Sequence, residues 1–108
     1  SGLSLQNTLT PRLLGDLLAW ADTKLPAADR AAFANALPVG GVDGTLRNRF
    51  KNTALAGNVR AKTGTLFGAS SLSGYVTRRN GERLAFSILM NHYNGSATDA
   101  RAAQDAIV

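Results

Sequence analysis

The stretch Val59-Arg60-Ala61-Lys62-Thr63-Gly64-Thr65-Leu66 has the features that decide the fold of this chain. Apolar and polar side chains alternate at its start, which is the pattern of a half-buried strand, and we predict a strand over residues 59–63. Small residues follow, and they let another backbone approach closely; they are Gly64, Gly68, Ala69, Ser70 and Ser71. The sequence thus predicts a strand that a second extended chain can approach.

The residues after this stretch predict two more strands. Alternating side chains continue over residues 71–76 and again over residues 84–91, as in strands with one buried face. Between them, Asn80-Gly81 is flanked by Arg79 and Glu82 and is a strong signal for a two-residue hairpin turn. We therefore expect a three-stranded antiparallel sheet in the second half of the chain.

The first half of the chain has helix signals. Thr10-Pro11 predicts a helix start, with Thr as the N-cap and Pro at the first helical position. An apolar stripe at helical spacing follows, made of Leu13, Leu14, Leu17, Leu18 and Ala21. Pro26 opens a second helix over about residues 27–36, whose expected core face is Phe33, Ala36 and Leu37. A short helix over about residues 45–50 is expected after a glycine-rich loop at residues 39–44.

A final helix is predicted near residue 97. Ser96 or Thr98 is expected to cap it, with Asp99 well placed near its positive end. Its expected inward face consists of Ala100, Ala103 and Ile107. The elements together predict an α+β fold in which helices flank a three-stranded antiparallel sheet.

Composition restricts the class of protein. A length of 108 residues suits one small domain, and 44% hydrophobic with 18% charged residues is typical of a globular chain. The sequence has no cysteine, which excludes disulfides and thiolate metal sites. No apolar run approaches the roughly 18 residues of a membrane span. The net charge of +5 is compatible with nucleic-acid binding, but the arginines are scattered and no aromatic ladder interleaves them. We expect no nucleic-acid partner.

Few other residues are candidates for chemistry. His92 is the only histidine, and a Ser-His-Asp triad would need a nucleophile beside it and Asp99 or Asp43 behind it. A surface or turn-capping histidine is the simpler interpretation. Dispersed aspartates with one histidine do not suit a metal site, so we expect no metal and no organic cofactor. We expect Asp43 to bond its own turn, and Trp20 to lie in the core or where another part of the protein docks.

The tripeptide Lys62-Thr63-Gly64 allows two interpretations. Lys-Thr-Gly on a strand edge is one of three signatures of the penicillin-binding and serine β-lactamase fold. Taken alone, it also fits an exposed strand lysine followed by a bulge. The other two signatures, a Ser-x-x-Lys nucleophile and a Ser-x-Asn, do not occur in the sequence. The hairpin and terminal helix downstream follow the order seen in that fold and favour the first interpretation.

Four segments as a set resemble D-alanyl-D-alanine carboxypeptidases of the DacB type, the class C low-molecular-mass penicillin-binding proteins. They are Ser1-Gly2-Leu3-Ser4, Gly41-Val42-Asp43-Gly44-Thr45-Leu46, the stretch quoted first, and Ser73-Gly74-Tyr75-Val76. The resemblance covers nearly the whole chain and implies that residues 1–108 are the C-terminal part of a penicillin-binding transpeptidase-like domain. It implies a serine enzyme that removes the terminal D-alanine of peptidoglycan stem peptides and often cleaves their cross-links.

The resemblance also implies roles for the motif. Lys62 would place a compact positive charge beside the terminal carboxylate of the substrate, and the hydroxyls of Thr63 and Thr65 would donate to that carboxylate. Gly64 would leave room for an extended peptide along the strand edge. The backbone N–H of Thr65 would form half of the oxyanion hole. Lys62 and Thr65 are therefore the expected catalytic residues, and Thr63, Gly64 and Thr65 the expected substrate-binding residues.

Because the nucleophile is absent and both ends stop abruptly, we expect a fragment of a longer protein that is inactive by itself. The expected partners of the parent protein are peptidoglycan peptides and β-lactams. A missing N-terminal part or a second copy would cover the open sheet edge. The resemblance alone implies a periplasmic or extracytoplasmic location. Two alternatives stay open: a serine β-lactamase or esterase of the same fold, and a non-catalytic basic module that binds peptidoglycan or nucleic acid.

Overall fold

The computed structural model describes residues 2–4 and 6–108. Its helices and strands follow the order α1 (Pro11–Lys24), α2 (Ala27–Asn35), β1 (Val59–Leu66), β2 (Ala69–Thr77), β3 (Arg83–Asn91) and α3 (Ala97–Ile107). A short 3-10 helix, Gly44–Leu46, precedes β1. The α+β class and the three-stranded sheet that the sequence predicts are confirmed.

The sheet has the strand order β1-β2-β3, and both pairs are antiparallel. β1 runs three residues further than predicted, to Leu66, because Gly64 stays inside the ladder opposite Ser71 and the chain turns only at Phe67 and Gly68. A bulge at Gly64 is therefore not what the structure shows. The three additional residues, Gly64 to Leu66, pair with Ala69 to Ser71 and extend β1 to its turn with β2.

The turn between β2 and β3 is one residue longer than the predicted two-residue hairpin. The N–H of Arg78 donates to the carbonyl of Glu82 at 2.8 Å, which leaves three residues in the loop. Gly81 closes it with φ +84°, the left-handed conformation that such three-residue loops place at their last position. The glycine of Asn80-Gly81 thus performs its expected function in a different turn.

α1 packs on one face of the sheet, against β3 and β2. The hydroxyl of Thr10 accepts a bond from the N–H of Leu13 at 3.1 Å, which confirms the predicted cap. Leu18 and Ala21 are buried, and the hydroxyl of Tyr75 donates to the carbonyl of Leu18 at 2.8 Å. Burial raises the pKa of Tyr75; the charge of Asp22 raises it further and that of Arg83 lowers it. These contacts hold the middle of α1 against the sheet.

The prediction that the whole apolar stripe of α1 is buried is wrong in part. Leu13 and Leu17 are about half exposed, and so is Trp20, which rules out a core position for that indole. The helix meets the sheet along the narrow line of Leu18 and Ala21, so a stripe wider than that line extends past the contact. Trp20 as a docking residue stays a prediction.

The opposite face of the sheet holds the main core. Leu46, Val59, Ala61 and Leu72 are fully buried there, with Phe50 packed beside them.

α3 lies over this face and begins at Ser96, whose hydroxyl accepts from the N–H of Asp99. Ser96 rather than Thr98 is thus the cap. Ala100 faces inward as predicted, but Ala103 and Ile107 are exposed and Gln104 is buried in their place, because Gln104 forms polar contacts beneath the helix.

Two predictions for the first half need correction. In α2 the buried residue is Ala34, while Phe33 and Ala36 are exposed and Leu37 is half-buried, because α2 contacts α1 and does not lie across the sheet. The helix predicted over residues 45–50 is only the 3-10 helix. Phe50 and Asn52 adopt φ values of 62° and 59°, which no right-handed helix allows.

Candidate active site

The candidate site lies along the outer edge of β1, which is the edge that does not pair with β2. The carbonyl of Val59 accepts from the N–H of Gly40 at 2.8 Å, and the N–H of Ala61 donates to the carbonyl of Pro38 at 3.0 Å. Backbone groups of alternate residues face the same edge of an antiparallel strand. The N–H and C=O groups of Thr63 and Thr65 therefore face this same edge, where β1 has no strand partner among the described residues.

The polar side chains of the motif gather at this edge. The ammonium of Lys62 is exposed and donates to the carbonyl of Thr63 at 2.6 Å. The hydroxyl of Thr63 lies 3.0 Å from the hydroxyl of Thr45, which belongs to the 3-10 helix Gly44–Leu46. A positive charge and two hydroxyls thus lie beside outward-facing backbone groups, an arrangement suited to a carboxylate.

A cleft of about 660 Å³ opens on this edge. Lys62 to Leu66 form one wall, and residues 2–4 and 7–9 form another. A Cβ added to Gly64 would meet the hydroxyl of Ser71, which lines the same cleft. The structure brings Lys62, Thr63, Gly64 and Thr65 together on the cleft, which is the placement that the sequence predicts.

The glycine-rich loop supports the edge from outside. The carboxylate of Asp43 accepts from the N–H of Val39 at 2.7 Å, which confirms Asp43 as a turn aspartate. Val39 forms a bridge with Arg60. This closes the loop against the first half of β1, so the open part of the edge begins at Lys62.

The other candidate residues, His92 and Asp99, are not among those that line the cleft. His92 is exposed, with φ 53°, and its N–H donates to the carbonyl of Gly68 at 2.8 Å. It is a turn residue, as the simpler interpretation predicts. Asp99 is engaged with Ser96. Within residues 2–4 and 6–108, no cluster of three or more His, Asp or Glu side chains is placed to hold a metal ion.

Sequence reasoning missed several residues that line the cleft or contact its walls. Leu3 and Ser4 line it, and Thr45 contacts Thr63 across a separation of 18 residues. Their segments resemble the carboxypeptidase family, so the signal was available, but no local pattern assigns a role to these side chains. Ser1, the first residue of that resemblance, lies outside the described residues. No helix in the described part of the chain is long and apolar enough to cross a membrane.

An antiparallel sheet with Lys-Thr-Gly on an open edge strand, followed by a hairpin and a C-terminal helix, defines the class of penicillin-binding folds. Residues 1–108 match the D-Ala-D-Ala carboxypeptidase 3 (S13) family, and the chain belongs to that family. The resemblance inferred from the four segments is thereby confirmed.

Curated relatives agree with this assignment. The chain is 46% identical over 112 residues to a D-alanyl-D-alanine carboxypeptidase of Actinomadura sp. (strain R39), covering 99% of this chain and 20% of that protein. It is 39% identical over 111 residues to carboxypeptidase DacB of Mycolicibacterium smegmatis, covering 99% of this chain and 23% of that protein. The chain therefore spans about a fifth of the length of these relatives.

A solved structure has the same fold. The crystal structure of penicillin binding protein 4 (dacB) from Haemophilus influenzae, complexed with a novel β-lactam, matches with a TM-score of 0.81 and 32% identity. The match covers 97% of this chain and 25% of that one. The penicillin-binding fold predicted from the sequence is confirmed over most of the chain.

Proposed function

We propose that this chain forms the carboxylate-binding and oxyanion side of the active site of a serine-type D-alanyl-D-alanine carboxypeptidase. The observation that carries the proposal is the open edge of β1, where the backbone groups of Thr63 and Thr65 face a cleft beside Lys62. An extended peptide can add to such an edge as a further strand. Family membership and the names of the relatives support a carboxypeptidase over a β-lactamase or a basic binding module.

Each residue then has a chemical role. The ammonium of Lys62 attracts the terminal carboxylate of a peptidoglycan stem peptide, and the hydroxyls of Thr63 and Thr65 donate to it. A serine attacks the carbonyl between the last two D-alanines, and the N–H of Thr65 donates to the oxyanion that forms. One such donor contributes about 3–4 kcal/mol to the transition state. D-alanine leaves, and water then hydrolyses the acyl-serine. A β-lactam carboxylate would occupy the same place.

The nucleophile is proposed to come from the rest of the protein. The sequence has no Ser-x-x-Lys and no Ser-x-Asn, and the chain spans about a fifth of its relatives. Residues 1–108 are thus proposed as the C-terminal part of a larger domain and are inactive alone. Because peptidoglycan lies outside the cytoplasm, we propose an extracytoplasmic location, periplasmic where an outer membrane is present.

Acylation by a fluorescent penicillin tests the proposal in the longer protein that contains this chain. Thr65→Pro removes the proposed oxyanion N–H, and it does so on the unpaired edge, where a proline leaves the ladder to β2 intact. We expect the acylation rate to fall by about 10²- to 10³-fold. Thr65→Ala, which keeps the N–H and removes only the hydroxyl, is the matched control and should lose much less.

Three results would contradict the proposal. If the fluorescent penicillin did not label the wild-type protein, the acyl-serine mechanism would be ruled out. Equal rates for Thr65→Pro and Thr65→Ala would show that the backbone N–H does not participate. Turnover of a D-Ala-D-Ala peptide by the pure 108-residue chain would show that the nucleophile lies within it.

A further inference from the structure

A fully buried amide lies beneath the site. Gln104 of α3 has no exposed surface, and a buried polar side chain is costly unless its bonding groups are satisfied. Its Oε1 accepts from Nη2 of Arg49 at 3.1 Å, and its Nε2 donates to Oγ of Ser70 at 3.0 Å. These hydrogen bonds connect the loop before β1, helix α3 and strand β2.

The chemistry of Arg49 fixes the direction of these bonds. A guanidinium has only donors, so the atom of Gln104 that faces it must be the carbonyl oxygen. Arg49 is itself held by Asp105, with Nε of Arg49 2.9 Å from the carboxylate. The amide nitrogen of Gln104 must then face Ser70, and Ser70 must accept. The hydroxyl proton of Ser70 is therefore available to another acceptor.

Ser70 lies next to the proposed carboxylate-binding residues. It pairs with Thr65 in the register of β1 and β2, and residues that oppose each other in an antiparallel pair project from the same face. Thr63 shares that face, because side chains two residues apart in a strand do. Ser70 also borders the 660 Å³ cleft together with Thr63 and Thr65. Only 4% of it is exposed, so Ser70 lies at the base of the cleft and not on its rim.

We propose that Ser70 is a third hydroxyl donor to the carboxylate of a D-alanine-terminated ligand, and that Gln104 is the positioning residue that keeps Ser70 a donor. A hydroxyl that accepts a bond becomes a stronger donor through polarisation. The arrangement makes the last helix part of ligand recognition, although no residue of that helix borders the cleft. The ligand class rests on the proposed function; the direction of the bonds does not.

Gln104→Glu is the decisive variant because it keeps the shape of the side chain and reverses one bond. The carboxylate still accepts from Arg49, and it accepts the proton of Ser70 instead of donating to Ser70. Ser70 then has no proton for the cleft. We expect Gln104→Glu and Ser70→Ala each to weaken binding of N-acetyl-D-alanyl-D-alanine to the chain about tenfold, the factor for one hydrogen bond to a charged acceptor. NMR titration of the isotope-labelled chain, followed at the amides of Thr63 and Thr65, measures this.

A double-variant cycle separates this effect from simple charge repulsion. If Gln104→Glu acts by turning the Ser70 proton away, it should weaken binding no further in a Ser70→Ala background. Repulsion between two carboxylates would instead cause an additional loss of affinity in that background. Ser70→Thr keeps a hydroxyl in a strand-compatible residue and should restore affinity. Ser87→Ala is the matched control: Ser87 bonds Ser73 and does not border this cleft.

Three outcomes overturn the inference: unchanged affinity in folded Gln104→Glu, additive losses in the double variant, or no dipeptide binding by the wild-type chain at any soluble concentration. If Ser70→Ala unfolds the chain, Gln104→Glu and Ser70→Thr decide the question by themselves. Penicillin labelling of the longer protein is a separate measurement. Labelling with unchanged Gln104→Glu affinity would therefore refute this inference and leave the proposed function standing.

Discussion

At the residue scale, two glycines of the sheet fill different needs. A Cβ at Gly64 would meet only the hydroxyl of Ser71, which can rotate away. A Cβ at Gly74 would collide with the carbonyl of Arg60 and the backbone of Ala61, neither of which can move without opening the β1–β2 ladder. The β1–β2 ladder therefore requires Gly74, whereas rotation of Ser71 could make room for a Cβ at Gly64.

Alanine substitutions should separate these requirements. We expect Gly74→Ala to lower the free energy of unfolding by about 1–3 kcal/mol, the range for overpacking a closely packed site, and Gly64→Ala to cost clearly less. Denaturant unfolding of the two variants beside the wild type measures the difference. Equal losses would mean that Ser71 cannot rotate and that both glycines serve the ladder.

Among the elements, α3 is stabilised by hydrogen bonds in its first turn. Ser96 and Asp99 form a capping box in which each side chain accepts from the other residue's backbone N–H. We expect Ser96→Ala to lower the free energy of unfolding by about 1 kcal/mol. Thr98→Ala is the matched control, since Thr98 lies in the same turn without the capping role. Equal effects of the two substitutions would contradict the assignment of the cap.

The same turn predicts a pH dependence. Bonds from the backbone and hydroxyl of Ser96 lower the pKa of Asp99. Because the folded pKa lies below the unfolded one, the contribution of the carboxylate is present above the unfolded pKa and is lost as the pH falls through the folded pKa. Asp99→Asn should therefore flatten the acid decline of stability. Thermal unfolding from neutral to acidic pH tests this, and a parallel decline in both proteins would contradict it.

At the scale of the whole molecule, β3 has an apolar face that the described residues leave open. A groove of about 300 Å³ runs beside β3, bordered by Leu84, Phe86, Ile88, Ile107 and Val108. The outer edge of β3 also has no strand partner within the described part of the chain. Unpaired strand edges and apolar patches promote association. We expect the isolated chain to associate as its concentration rises.

Light scattering across a concentration series tests this expectation. Ile107 is 67% exposed on the rim of the groove, so Ile107→Lys should place a charge there without disturbing the core and should reduce association. Val42→Lys, at a comparably exposed residue away from the groove, should not. A monomer at every concentration, or equal effects of the two lysines, would contradict a role for this face.

Local chemistry decided what could be predicted. The cap at Thr10, the turn glycine Gly81 and the alternation of the strands depend on residues within a few positions of each other, and each is found where the sequence places it. For α3 the sequence left Ser96 and Thr98 as alternatives, and Ser96 is the cap. The motif Lys62-Thr63-Gly64 is equally local. Boundaries were less secure: β1 continues through Gly64 because the pairing with Ser71 outweighs the weak strand preference of glycine.

Neighbouring residues are enough to predict the α+β class, the order of the elements and the strand that bears the candidate site, because periodicity and turn chemistry depend on adjacent positions. The packed fold was needed to show which helix faces are buried, that Thr45 lies beside Thr63, and that Gln104 connects Arg49 to Ser70. These contacts join residues 18 to 55 positions apart. They depend on how helices and sheet pack, and no local pattern in a single sequence encodes that packing.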